Sequence, residues 1–220
     1  MKINDRLKKI GDLVDANSLC LDIGCDHALL DIYLVKEKKQ KRAIASDIAE
    51  GPLEKAKENI NKYQVQDKVE LRLGDGLSTY TEEIDTAIAS GMGGRTMIGI
   101  FKNNLKITKK LKQIIVSPNN YQMDVRKFFT SSGFYIEDEE LVKDGKYIYQ
   151  IMKFKKGHQH YSKKEYFFGP ILLTKKNKLF KDYFKRELTS RKIMMDLLPK
   201  NYRVKKYKTK KEIKMIEEEI

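Results

Sequence analysis

The sequence is poor in the residues that define several protein classes. Two cysteines, Cys20 and Cys25, among 220 residues cannot build a disulfide scaffold, and their scarcity points to a reduced, cytoplasmic setting. Three histidines, His27, His158 and His160, stand at no zinc-ligand spacing from those cysteines, so no metal is expected. No uninterrupted apolar run approaches the roughly 18 residues a membrane span needs, and residues 1–15 lack an apolar signal core. Neither a membrane partner nor a secretory leader is expected. Glycine is also missing where a dinucleotide fold needs it, as the first predicted strand shows below.

What is present describes a globular chain. Hydrophobic residues make up 40%, and the 13 glycines bring the total to about 46%, inside the usual globular range. The length suits one α/β domain with a modest appendage. Lysine and arginine number 45 against 31 acidic residues, a formal charge of +14. Of those cations 37 are lysines and tryptophan is absent, a bias that an AT-rich genome produces without any charged partner. The distribution is more informative than the sum. Residues 158–220 hold 18 basic and 8 acidic residues, net +10, whereas residues 1–157 hold 27 and 23. Codon bias does not by itself concentrate charge in this way, so the tail is a candidate polyanion-binding segment.

Short β-rich runs alternate with helical patterns over residues 1–157. Leu19–Ile23 reads as a buried strand ending at Gly24, followed by a helix with Leu29, Leu30, Tyr33 and Leu34 on one face. Further strands are expected at Arg42–Ser46, Val69–Leu73, Ile84–Ala89 and Gln113–Val116. Helices are expected after Asp47, with Pro52 in the first turn, and through Met97, Phe101 and Leu105. Phe134–Val142 and Tyr147–Phe154 flank Asp144-Gly145, a hairpin signal. The pattern implies an α/β fold: a Rossmann-like, mostly parallel sheet with a terminal antiparallel hairpin. From His158 onward no strand is expected. Phe180, Phe184, Leu188 and Met195, then Ile213, Ile216 and Ile220, repeat at helical spacing on either side of Pro199-Lys200-Asn201. That predicts a helical hairpin with lysines outward.

The chemistry concentrates at predicted strand ends. Leu21-Asp22-Ile23-Gly24-Cys25-Asp26-His27 follows strand one, where an open parallel sheet binds ligands. A pyrophosphate turn needs Gly-x-Gly-x-x-Gly; here one glycine sits between two carboxylates, which repel a pyrophosphate and suit a cation. The balance tips from NAD to S-adenosylmethionine. Asp47 ends strand two, near the offset at which a carboxylate meets ribose hydroxyls, and also serves as a helix N-cap candidate. Gly74-Asp75-Gly76 ends strand three, with Asp75 placed to accept from an adenine amino group. Gly91-Met92-Gly93-Gly94 follows strand four, with little bulk and Met92 as an apolar wall. Ser117-Pro118-Asn119-Asn120 follows strand five on the same rim. The residues expected to bind the cofactor are Asp22, Gly24, Asp26, His27, Asp47, Asp75, Gly76, Gly91, Met92 and Gly93. Those expected to act on the substrate are Asp26, His27, Met92 and Asn119. Cys25 reads as a small residue in the cofactor turn rather than a nucleophile.

These motifs, with Asn4-Asp5-Arg6-Leu7, Glu50-Gly51-Pro52, Asp144-Gly145-Lys146 and Phe168-Gly169-Pro170, resemble in order the bacterial tRNA (adenine-N1)-methyltransferase family TrmK. The resemblance runs through nearly the whole chain. It implies a class I methyltransferase domain over residues 1–157 and a coiled-coil helical domain over 158–220 that binds tRNA. It also implies methyl transfer from S-adenosylmethionine to N1 of adenine 22, in the D-loop region of tRNA. A monomer is expected. The chain departs from the family at Asp47, where glutamate is commoner, and at Asp5, where serine is. Two alternatives stay open: a methyltransferase for another RNA, and a non-catalytic RNA-binding protein on the same scaffold.

Overall fold

The chain enters through a helix, α1 (Asp5–Leu13), for which the strand-and-helix pattern above makes no provision. Its first turn is fixed by Asn4, whose side-chain oxygen accepts from the Leu7 amide at 2.8 Å. Ile10 and Val14 are buried on its inner face. The computed structural model describes Met1 and residues 3–199 and 201–220. It divides into two units, Met1–Ile171 and Leu172–Ile220.

The first unit is built on a seven-stranded sheet: β1 (Cys20–Ile23), β2 (Ala43–Asp47), β3 (Val69–Leu73), β4 (Thr86–Ser90), β5 (Gln113–Ser117), β6 (Phe134–Asp144) and β7 (Tyr147–Lys156). The spatial order is β3-β2-β1-β4-β5-β7-β6. The first five strands are parallel and β7 runs antiparallel between β5 and β6. β1, β4 and β5 are apolar on both faces, as strands covered by helices on both sides must be. One core holds Leu21, Ile44, Met97, Phe101 and Phe129; across the sheet lie Ile10, Leu34, Ile88 and Ile115. Between them are α2 (Leu29–Lys36), α3 (Glu50–Tyr63), α4 (Gly94–Asn103), α5 (Leu105–Thr108) and α6 (Gln122–Ser131). Strand order reverses between β2-β1 and β4-β5, so the loops after β1 and β4 part there and open a crevice.

Three local expectations change. The helix through Met97, Phe101 and Leu105 is two helices, because Asn104 leaves the helical region (φ −122°, ψ 42°) and donates its side-chain amide to the Ile100 carbonyl. The N-cap of α3 is Ala49, not Asp47; the Asp47 carboxylate instead accepts from the Ala49 amide at 3.0 Å. The fourth strand starts at Thr86 rather than Ile84, where the Asp85 and Thr86 amides both turn to the Leu19 carbonyl.

The segment after β7 packs with the sheet. α7 (Lys163–Phe168) starts in a Ser162/Glu165 capping box and lies against α6. Beneath it Arg126, fully buried, donates Nε to Glu139 at 2.6 Å, Nη2 to Gln150 at 2.6 Å and Nη1 to the Tyr166 carbonyl at 3.2 Å. The second Glu139 oxygen accepts from the Ile171 amide at 3.1 Å. These bonds tie residues 158–171 to the first unit, so the division at 171/172 lies beyond the 157/158 position read from the end of strand signal.

The second unit contains most of α8 (Pro170–Lys175), then α9 (Lys178–Leu197) and α10 (Arg203–Glu219). Phe180 and Phe184 stack at 4.6 Å, and Leu172, Phe180, Phe184 and Ile216 are all buried. Lys176 pairs with Glu219 at 2.5 Å and Arg191, farther along, pairs with the earlier Glu212 at 3.0 Å, the sign of an antiparallel hairpin. The break at Pro199-Lys200-Asn201 includes Lys200, which lies outside the described residues. No described helix is long and apolar enough to cross a membrane.

Candidate active site

The crevice between the β1 and β4 ends holds a cavity of about 390 Å³, within the range of small-molecule sites. Asp22, Gly24, Asp26, His27, Gly91 and Met92 line it. The β1 turn takes its shape from two amides, Gly24 and Cys25, which both donate to the Ser46 carbonyl of β2. The chain then passes through left-handed conformations at Gly24 (φ +73°), Asp26 (φ +53°) and Ala28 (φ +51°) before α2 begins. At Gly24 the left-handed backbone disfavours a side chain, and an added Cβ would press on the Met92 methyl at 3.1 Å. Met92 lines the cavity beside the bare Gly24 backbone.

The glycine-rich loop after β4 is tethered to the β5 turn. Asn119 donates its side-chain amide to the Gly91 carbonyl at 2.7 Å and its backbone amide to Met92 at 3.0 Å. The Asn120 side-chain oxygen accepts from Gly94 at 3.0 Å. At Gly94 a Cβ would meet the Asn120 backbone carbonyl at 2.4 Å. Gly94→Ala is expected to cost about 1–3 kcal/mol of stability through that clash. Gly51→Ala, in α3 with nothing within 4 Å, is expected to gain about 0.5–1 kcal/mol. Thermal melts of the two variants check both signs.

Charge in the cavity is mostly acidic. Asp22 is buried at the end of β1, and desolvation, reinforced by the neighbouring Asp31 carboxyl, holds it well above the usual carboxylate range. Asp26 stands at the rim with its side chain 74% exposed, 3.5 Å from His27 Nδ1. That distance is too long for a firm bond. The His27 backbone carbonyl accepts from Asn59 of α3 at 3.0 Å, fixing the residue's place in the turn. Among the described residues lining it, Arg6 of α1 is the strong cation. It lies 4.4 Å over the Tyr149 ring and against Gly91, and its Nε, though buried, has no partner among the described residues. Burial lifts the Cys25 thiol far above its ordinary range, which removes it as a nucleophile.

Asp47, Asp75, Gly76, Gly93 and Asn119 do not line this cavity. They lie along the same edge of the sheet: Asp47 at the end of β2, Asp75 exposed at the start of a 3-10 turn (Gly76–Thr79), and Gly93 before α4. Asn4, Arg6 and Leu7 do line it. Strand-end logic does not reach them, because they arrive on a helix that precedes the sheet. Among the described residues no group of three or more His, Cys, Asp or Glu is placed to hold a metal ion.

A class I cofactor with a cationic centre fits these walls. The cavity offers carboxyl groups at Asp22 and Asp26, an apolar side at Met92, and one unsatisfied guanidinium nitrogen for an anionic group. Its β1 turn lacks the three glycines that seat a pyrophosphate. The chain is 27% identical over 196 residues to the tRNA (adenine(22)-N(1))-methyltransferase of Bacillus subtilis, covering 86% of this chain and 82% of the relative. A candidate tRNA (m1A22) methyltransferase of Streptococcus pneumoniae, solved with S-adenosyl-L-methionine, superposes with a TM-score of 0.91 at 27% identity over 99% of each chain. TrmK of M. capricolum, solved with S-adenosyl-homocysteine, superposes at 0.86 with 26% identity, over 99% of this chain and 97% of that one. The TrmK family model, described as tRNA (adenine(22)-N(1))-methyltransferase, matches residues 20–218, and the chain belongs to that family.

Proposed function

We propose that the cavity between β1 and β4 is where this S-adenosylmethionine-dependent tRNA (adenine(22)-N(1))-methyltransferase holds its cofactor and carries out transfer to adenine N1. The observation that carries the assignment of the site is an acidic, pyrophosphate-hostile pocket at the strand-order reversal, walled by Gly24 and Met92. When bound, S-adenosylmethionine supplies a methyl group on a positively charged sulfur. Asp22 and Asp26 give that charge a favourable surrounding, Arg6 suits the carboxylate of the methionyl part, and Asp47 suits ribose hydroxyls. Asp75 and Gly76 stand where an adenine edge of the cofactor is expected.

Adenine N1 already carries a lone pair, so the protein need not remove a proton to create the nucleophile. Its task is alignment, and well-oriented reactants alone can account for several kcal/mol of a barrier. N1 lies on the pairing edge, so the target base must leave its stack to reach the site. The loop held by Asn119 and Asn120 carries Gly91 and Met92 on the cavity wall, beside the rim where the base would enter. Asn119 acts through the shape of that loop, since its side-chain amide is engaged with Gly91. Asp26 and His27, at the rim, are placed to meet the base.

The second unit offers the complementary chemistry for RNA. Arg203, Lys205, Lys206, Lys208, Lys210 and Lys211 occupy the first half of α10, with no acidic residue before Glu212. Tyr202 and Tyr207 are interspersed and more than half exposed, and Lys211 lies 4.4 Å over the Tyr207 ring. Cations for phosphates beside aromatic faces for bases are the elements of a nucleic-acid surface.

Unmodified tRNA incubated with the protein and S-adenosylmethionine is expected to yield 1-methyladenosine at position 22, read by nucleoside mass spectrometry. No product across a panel of tRNAs would overturn the assignment. Asp47→Ala, which removes a charged hydrogen-bonding group, is expected to weaken cofactor binding about ten- to a hundredfold. Unchanged affinity would place the ribose elsewhere.

A further inference from the structure

The inner side of α2 carries a titratable group for which methyl transfer has no use. Asp31 sits in the first turn of α2, fully buried, and among the described residues its carboxyl has no hydrogen-bond partner beyond its own backbone and Asp22. The group it faces is another carboxyl, that of Asp22, which is 4% exposed and forms part of the cavity wall. Two carboxyl groups in contact and away from water cannot both be ionised at low cost. A proton shared between them removes the repulsion and turns one into a donor for the other.

Among the described residues, none supplies a cation in its place. From β2, Asp47 adds negative charge towards Asp22. Cys20 on β1 and Cys25 in the following turn are held neutral by burial and by these same carboxyls. His27 and Asp26 stand farther out at the rim. Arg6, from α1, shares the cavity but forms no ion pair with either carboxylate; it rests on Tyr149 and Gly91.

We propose that Asp22 and Asp31 hold one proton between them in the free protein and release it to solvent when the cationic cofactor docks beside Asp22. Asp31 is then a positioning residue that links cofactor capture to pH. This rests on the reading that the β1/β4 cavity binds S-adenosylmethionine. The sign follows from the protonation balance. Burial, then the neighbouring carboxyl charge, raises the range over which Asp22 titrates, and burial raises that of Asp31. Below that range binding must displace a proton, so affinity falls as pH falls. Above it the proton has already left the free protein, and affinity levels off.

The test is calorimetric titration of the intact protein with S-adenosylmethionine near pH 6.5, in two buffers of different ionisation enthalpy. At that pH the cofactor's own amino group is already protonated, its ordinary range being about 7.7–8.0. The heats are expected to differ by the release of close to one proton per cofactor bound, and affinity to rise about tenfold from pH 6 to 8. Asp31→Asn gives Asp22 a neutral amide donor. That variant is expected to bind with at most half the proton release and a flatter pH dependence. Every other group of the cavity is common to both proteins, so their difference reports the pair. Wild-type binding without proton release, or equal release in Asp31→Asn, would overturn the proposal while leaving the cofactor site in place. No binding at all would overturn the site as well.

Discussion

Raising the salt concentration from about 50 to 200 mM is expected to weaken tRNA binding roughly a thousandfold, the value for about six phosphate contacts. Six is the number of cations between Arg203 and Lys211, a stretch with no acidic residue. Each neutralised phosphate releases condensed counterions, so the dependence is a straight line of log affinity against log salt. The same line gives a residue-level test. Replacing Lys205, Lys206 and Lys208 by glutamine in the full chain should reduce the slope by about two to three. Cofactor affinity should stay the same, because these residues line no part of the β1/β4 cavity. A slope that ignores the three substitutions would remove α10 from the RNA surface and leave its lysines to codon bias.

Arg126→Met is expected to cost about 3–5 kcal/mol of stability, the largest loss from any single change described above. The guanidinium is fully enclosed, and its removal takes a charged partner from the buried Glu139 carboxylate, which also accepts from the Ile171 amide. Pairing the change with Glu139→Leu should recover much of the loss, because a buried ion pair replaced on both sides is often neutral or better. Denaturant melts of the single and double variants check both statements. A single-variant loss below about 1 kcal/mol would show that water or rearrangement compensates the carboxylate. The cofactor cavity is formed by other elements, so the double variant should retain cofactor binding.

Much of the sheet is legible in the sequence because its information is local. Buried strands such as Ile114-Ile115-Val116 are short apolar runs between turn residues, and Asp144-Gly145 marks its hairpin by the left-handed backbone Gly145 adopts. The carboxyl-rich strand ends are legible for a related reason: in parallel strands the ends fall on one edge whatever the helices between them do. Residues Asp22, Asp26, His27 and Met92 meet on that ground alone. What is not legible depends on partners far along the chain. Helix α1 is mostly charged, and Leu7, Ile10 and Val14 form only a narrow apolar stripe. Its contribution of Arg6 therefore stays hidden until it docks. Asp31 has the form of an ordinary acidic residue in a first helical turn. Only the arrival of β1 beside it brings two carboxyls together. Asn119 reads as a free amide on a rim, whereas the fold engages it with Gly91.

The Arg126 cluster also determines where the polypeptide can be divided and in what order it is finished. The guanidinium on α6 finds Glu139 and Gln150 on the last two strands, then the Tyr166 carbonyl; Glu139 in turn takes the Ile171 amide. During synthesis every parallel strand has emerged before the last of these partners exists. The first unit can thus form its β1/β4 crevice early yet remains unsealed at this corner until residue 171 leaves the ribosome. A gene cut at the visible end of strand structure, after residue 157, would remove the seal with the tail. One cut after Ile171 would keep it.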